Sequence, residues 1–521
     1  MYRPGLDRCA QTPVAYSPQR SVAFGCLVAL LVASCAVGPD FKVPPAPEIE
    51  GYTSGRLPKQ TVSSATAGGA SQSFDMGRDL SGEWWSLFRS PHLKAEIEKA
   101  IAANANLQAA QATLRQAEEN AKAQLGTLFP QLDANGSAAR EQISPAQFGQ
   151  SGAPLTFNLF NTTVNVSYAL DVFGGKRRAV EASEAQAENQ RFQYEATFLT
   201  LTANVVTTAI QEASLRGQIK ATKDIIKDES EQLEVLQHQF ELGGVSRADV
   251  LAQEAALAAT QATLPPLQKQ LEQERNLLAT LTGRFPSEAE LQAFTLASLR
   301  LPRKLPVSLP SQLVEQRPDI RSASAQLHQA SAQVGVATAN MLPQLNITGD
   351  YGAAALQTAT LFTPQSVVWS LGASATQPIL HGGTLIHQER AAEAGYEAAA
   401  AQYRDTVLNA FRNVADSLRA IQHDAVALQA QERAVRTASD SLNIAREQFR
   451  AGAITYLTLL NAERTYEQAQ IGLVQAQAAR YADTAALFQA LGGGWWNRKA
   501  VTPNDDAATA RAENSPAAVK Q

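Results

Sequence analysis

The side chains with the greatest capacity for chemistry in this 521-residue sequence are six histidines, three cysteines and a Gly-Gly-Lys triplet. His381 and His387 flank a turn, but their six-residue spacing and the lack of a third donor nearby do not make a recognisable zinc site. Gly174-Gly175-Lys176 copies the end of a phosphate-binding loop. It has Leu170 where the loop needs glycine and Arg177 where it needs Ser or Thr to reach magnesium. No Gly-x-Ser-x-Gly elbow occurs, and His92, His238, His328 and His423 sit in helical patterns without a triad partner. The expectation is a protein with no catalytic residue, no metal site and no cofactor loop: not an enzyme.

The cysteines carry a different message. Cys9, Cys26 and Cys35 all fall within the first 35 positions, so the body has no thiol chemistry. Residues 1–20 hold Arg3, Arg8 and Arg20 against Asp7, and the apolar run at 21–34 is too short to span a bilayer, which takes about 20 residues. This pattern predicts a signal peptide over 1–34. Val32-Ala33-Ser34-Cys35 resembles a bacterial lipobox, so a covalent lipid on Cys35 is the only added group expected. Two or more acyl chains would anchor stably, since each buried methylene contributes about 0.8 kcal/mol. A formal charge of −5 with 18% charged residues gives no basic footprint for nucleic acid. Polar side chains interrupt every other long apolar stretch, so any further membrane crossing must be made by strands.

The elements that must carry a function come in two copies. Leu128-Phe129-Pro130-Gln131-Leu132, Phe173-Gly174-Gly175 and Phe240-Glu241-Leu242-Gly243 recur in order as Met341-Leu342-Pro343-Gln344-Leu345, His381-Gly382-Gly383 and Phe449-Arg450-Ala451-Gly452, roughly 210 positions later. Each copy is predicted as helix, two strands, long helix, tight turn, helix. In the second copy a stripe from Val407 through Val414, Ile421, Leu428 and Leu442 to Phe449 keeps a period of about 3.5, broken only at Gln431, which demands supercoiled helices. No proline interrupts Gly383 to Ala451, a helix of roughly 100 Å. Leu242-Gly243-Gly244 and Ala451-Gly452-Ala453 are predicted hairpin tips, with Ser246 and Thr455 as N-caps of the return helices. Pro265-Pro266 predicts a kink or restart in the first return helix only.

Between the helices the period falls to two. Val164, Val166, Tyr168 and Leu170 alternate with Asn165, Ser167 and Ala169, and Val367, Trp369 and Leu371 alternate with Val368, Ser370 and Gly372. Partner strands are predicted near 131–145 and 344–356. Strands of about ten residues with one apolar face fit an outer-membrane barrel, with a soluble sandwich as the alternative. Four strands cannot close, and eight fill their own interior with side chains, so an open channel needs at least three chains. The predicted organisation is a signal peptide (1–34), a lipid-anchored extended segment (35–80), the first repeat (81–283), a linker (284–310), the second repeat (311–496) and a disordered tail (497–521).

The stretch Cys35-Ala36-Val37-Gly38-Pro39-Asp40-Phe41 is joined by Trp84-Trp85, Arg317-Pro318-Asp319-Ile320, the paired Leu/Met-x-Pro-Gln-Leu strand starts, Gln377-Pro378-Ile379 and Leu491-Gly492-Gly493-Gly494-Trp495. Together these resemble the TolC-like outer-membrane factors, in particular the lipid-anchored branch serving tripartite drug pumps, over about residues 35–496. The resemblance implies a mainly α homotrimer with a twelve-stranded membrane barrel and a helical tunnel. It also implies a periplasmic adaptor and an inner-membrane pump as partners, a passive path for small molecules, and hairpin tips that gate it and contact the adaptor. Those tips are Leu242, Gly243, Gly244, Ala451, Gly452 and Ala453. Relatives narrow the closed end with acids whose positions match Thr458 and Asn461, both uncharged here; Asp249 keeps the acid in the first repeat, and Tyr456, Leu457 and Arg464 keep the local pattern. The constriction candidates are therefore Asp249, Tyr456, Thr458, Asn461 and Arg464. A protein-secretion duct shares this architecture, and a non-conducting periplasmic coiled-coil scaffold is the remaining alternative.

Overall fold

The structure, a computed structural model, describes residues 36–149, 151–288 and 292–498. The signal peptide, Cys35 and the tail beyond Arg498 lie outside the described residues.

The duplication keeps the order of the elements and the lengths of the hairpin helices. Helix α1 (Pro91–Ala103) and α2 (Ala105–Gly126) lead into β2 (Gln131–Ile143) and β3 (Leu155–Leu170), then α3 (Gly175–Glu241) and α4 (Arg247–Leu281). The second copy runs α5 (Pro310–Gln316), α6 (Pro318–Ala339), β5 (Gln344–Ala355), β6 (Val367–Thr376), α7 (Thr384–Arg450) and α8 (Tyr456–Ala490). Both long helices have 67 residues and both return helices 35. The leading helix of each copy breaks once. Asn104 caps α2 by accepting from the Leu107 amide at 3.1 Å, and Pro318 forces Arg317 into the extended region before α6.

Of the kink or restart expected at Pro265-Pro266, the restart does not occur: α4 is continuous through both prolines. Residues 261–263 and the prolines themselves are exposed, so water can take the carbonyls that lose their intrahelical donors.

The chain forms two compact units. One contains residues through Lys42, Glu118–Gln186 and Leu327–Ala399, and holds an antiparallel sheet in the order β2-β3-β5-β6. The other contains Val43–Ala117, Ala187–Gln326 and Ala400 onward. There β1 (Ser73–Met76) and β4 (Lys304–Val307) pair in parallel, so the extended N-terminal segment and the linker each supply a short strand. Arg480 on α8 is almost fully buried, and its guanidinium donates to Gly68 O (2.6 Å), Ala70 O (3.1 Å) and Gln72 Oε1 (2.8 Å), fixing the segment before β1. Asn497 and Arg498, expected in the disordered tail, are held in place: Asn497 donates to Leu80 O at 2.8 Å and Arg498 to both Glu195 oxygens at 2.8 and 2.9 Å.

Along the hairpins the apolar stripe is buried as its spacing requires: Val407, Val414, Leu418, Ile421, Ala425, Leu428 and Leu442 are all covered. Gln431, the break in that stripe, lies over Gly472, where a Cβ would come within 2.3 Å of Gln431 Nε2, and it donates to Ala469 O at 3.0 Å. A glycine on the facing helix makes room for an amide in a hydrophobic seam.

Candidate conduit wall and hairpin gate

Strand register sorts the sheet into two chemically opposite faces. Leu132, Val166, Gly349 and Leu371 stand opposite one another across the four strands, as do Ala134, Val164, Tyr351 and Trp369. The alternate row is Asp133, Asn165, Asp350 and Ser370, with Ser370 Oγ donating to Asp350 Oδ2 at 2.7 Å. In the two central strands the apolar rows are the more open: Val164, Val166 and Tyr351 are exposed, whereas Asn165 and Asp350 are half-buried. A soluble sheet buries that face, whereas a membrane barrel turns it to lipid and its polar row to the lumen. Both edges are open as well. The β6 strand is exposed along all ten residues and carries no charge or proline that would blunt it against pairing.

The two hairpin tips are built alike. In the first, Gly244 N donates to Gln239 O (2.7 Å) and Gly243 N to Phe240 O (2.9 Å). In the second, Ala453 N donates to Gln448 O and Gly452 N to Phe449 O, both at 2.9 Å. Gly243 and Gly452 take the left-handed φ this motif needs, +78° and +71°. Leu242, Gly243, Gly244, Ala451, Gly452 and Ala453 are all exposed, as a contact surface requires.

Behind the tips lies a core drawn from all four hairpin helices: Leu236 of α3, Val250 and Ala256 of α4, Leu442 and Ala445 of α7, and Tyr456, Leu459 and Leu460 of α8. Tyr456 is buried in it and its hydroxyl donates to Gln253 Oε1, so Tyr456 joins the two hairpins rather than facing an open lumen. Asp249 is half-buried and engaged in a capping box, accepting from Ser246 N at 3.0 Å and Ser246 Oγ at 2.7 Å. Thr458, Asn461 and Arg464 are exposed. Thr458 and Asn461 line a groove of about 360 Å³ with Ile444 and Ile454. The structure thus brings Thr458 and Asn461 together, and places Tyr456 and Asp249 in packing and capping roles.

Sequence reasoning missed the acids beside this core. Glu463 and Glu467 continue the stripe of Tyr456 and Leu460 at steps of three and four, and that periodicity was the available signal. Burial pushes Glu463 up to about 7, with Arg446 opposing and Glu229 and Asp228 adding to the rise. Burial also pushes Glu467 to about 7, aided by Glu229 and Glu463.

The motif residues have structural duties. Arg317 pairs with Asp319 at 3.0 Å and donates to Ala490 O at 2.8 Å, closing the C-terminus of α8. Half-buried Trp495 donates through Nε1 to Gln316 O at 2.6 Å, and Trp84, Phe88 and Phe488 form an aromatic cluster. The residues just after Cys35 are seated on the sheet-bearing unit. Val37 N donates to Phe173 O at 3.0 Å, Arg178 donates to Val37 O (3.1 Å) and Asp40 Oδ1 (2.7 Å), and Phe41 stacks on His328 at 4.4 Å.

An open-edged antiparallel sheet with exposed apolar rows on one face, carried in one chain with duplicated long helical hairpins, defines a protomer of an outer-membrane channel. The model of the family described as outer membrane efflux protein matches residues 96–284 and 309–493. The chain is 31% identical to the pyoverdine export outer membrane protein OpmQ of Pseudomonas putida, over 79% of this chain and 88% of that one. It is 27% identical to the probable efflux pump outer membrane protein TtgC of Pseudomonas putida, over 91% and 95%. The solved structure of the outer-membrane channel OprN superposes with a TM-score of 0.79 at 27% identity, covering 88% of this chain and all of that one. The chain belongs to the outer membrane efflux protein family, whose members are channel components of efflux systems in the outer membrane.

Proposed function

We propose that three copies close their sheets into a twelve-stranded barrel and act as the passive exit duct of a tripartite efflux system, receiving small molecules from an inner-membrane pump through a periplasmic adaptor. The observation that carries this reading is the sheet itself, with exposed apolar rows on one face and an uncharged, fully exposed strand at one edge. Pairing β6 of one copy with β2 of the next satisfies both open edges, and closure removes the pairing hazard. The chain needs no chemistry of its own, since energy and cargo choice sit with the pump; we therefore read it as a non-enzyme. The efflux names of its relatives favour this duct over a protein-secretion one.

Cells lacking the chain should retain several chemically unrelated pump substrates, and expression of the native chain should clear them. Retention equal to that of the parent strain would overturn the reading. We further propose that Cys35 carries the lipid. A Cys35→Ala chain should incorporate no labelled fatty acid, and incorporation equal to the native level would remove the lipid assignment.

A further inference from the structure

Within one protomer the two hairpins meet through carboxyl groups that each leave one buried oxygen without a hydrogen bond. Glu229 of α3 is 4% exposed. Its Oε1 accepts from Thr260 Oγ1 at 3.0 Å, while its Oε2 is buried with no hydrogen bond. Glu463 of α8 is 6% exposed. Arg446 of α7 forms a loose ion pair with its Oε1 at 3.7 Å, while its Oε2 is likewise buried without a hydrogen bond. Gln253 of α4 stitches this region together, donating to the Glu229 carbonyl at 2.9 Å while accepting from Tyr456 of α8.

The charges facing the cluster are unbalanced. Asp228 and Glu229 come from α3, Asp249 from α4, and Glu463 and Glu467 from α8, against Arg446 from α7 and Arg464 from α8. Among the described residues no three acidic, histidine or cysteine side chains are arranged to hold a metal ion. A proton is then the compensating charge these carboxyls can take, because a buried carboxylate without a partner is costly and neutralises instead. The matching positions of the opposite repeats are the exposed Glu254 and Ala258, and the buried Ala438, so this grouping belongs to the contact between unlike hairpins.

We propose that packing of the first hairpin against the second is proton-linked: protonated Glu229, Glu463 and Glu467 hold the tips together, and their ionisation drives α8 away from α3. The direction follows from linkage. Glu463 and Glu467 are raised by burial to about 7 and Glu229 is raised too, so the packed state binds more protons than a splayed one, where each acid returns toward its ordinary 4.5. The packed state is most favoured below about pH 4.5, loses ground as pH rises through the interval, and has lost the contribution above about pH 7. An acid periplasm tightens the tips; a neutral one loosens them. The consequence for export rests on the gating role assigned to the tips, whereas the latch is a property of the hairpins alone.

The test uses full-length protein in detergent with nitroxides at Leu242→Cys and Ala453→Cys, labelled chains being diluted with unlabelled ones so that distances within one protomer dominate. Between pH 5 and pH 8 the distance distribution should lengthen and broaden. The Glu229→Gln/Glu463→Gln/Glu467→Gln variant should keep the pH 5 distribution at both values. A native distribution that does not move, or a variant that moves as the native protein does, overturns the proposal. Should the triple variant fail to assemble, the native titration decides: a midpoint between about pH 4.5 and 7 supports the latch, and one outside that interval overturns it. A clear distance transition with pH-independent export would support the latch and overturn the gating role of the tips.

Discussion

The two hairpins share one skeleton, 67 residues out and 35 back, yet each is weakened in a different place. In the first, Ser246 and Asp249 form a complete capping box that fixes the return helix at the tip. In the second, Thr455 makes no cap bond to the backbone, and its hydroxyl is hydrogen-bonded to that of Thr458 at 3.1 Å instead. Farther along, the order reverses. Both return helices are continuous, but the first loses two amide donors at Pro265-Pro266 and the second loses none. The first hairpin thus has the better-capped tip and the second the fuller helical ladder. The tip without a cap bond is the one whose Ile454 lines the groove at Thr458 and Asn461. Duplication supplied two hairpins of equal length; divergence of a few caps and breakers left the second without a side-chain cap bond at its tip.

Three sets of substitutions would break or sharpen this difference. The largest effect is expected from Pro265→Ala with Pro266→Ala, which restores two amide donors in α4. It should strengthen that helix by about 3 kcal/mol, read as increased hydrogen-exchange protection around residues 261–270. Unchanged protection would show that the prolines are not a weakness. Next, valine at Gly243 or Gly452 must adopt a left-handed φ, costing about 1–2 kcal/mol at either tip. Export should fall mainly with Gly452→Val while the trimer persists, and equal export from both variants would contradict a special role for the second tip. Smallest is the cap itself. Ser246→Ala should cost the first return helix about 1 kcal/mol, and Thr455→Ala only a few tenths, again by hydrogen exchange in the first turn. Equal losses would erase the distinction.

Much of this was legible in the chain. The tips were, because glycine after a long periodic stripe has one economical meaning and the same pattern stands twice. The barrel strands were, because alternation of Val164, Val166 and Leu170 with Asn165 and Ser167 fixes two faces before any partner is known. The restart at Pro265-Pro266 was wrong because donor loss alone does not break a helix whose freed carbonyls are exposed to water. Tyr456 was placed with the constriction residues because its local pattern says nothing of Gln253, some 200 residues earlier. Arg480 was missed for the same reason: its acceptors, Gly68, Ala70 and Gln72, lie near the other end of the chain. Glu463 was hidden by its type, since an acid on a helix is normally solvated.

The central claim is that this sheet is one third of a closed barrel. Electron microscopy of the detergent-extracted full-length protein tests it directly. The account predicts a hollow particle with three-fold symmetry, in which β6 of each copy adjoins β2 of the next. A monomer, or a solid rod without a lumen, would contradict it.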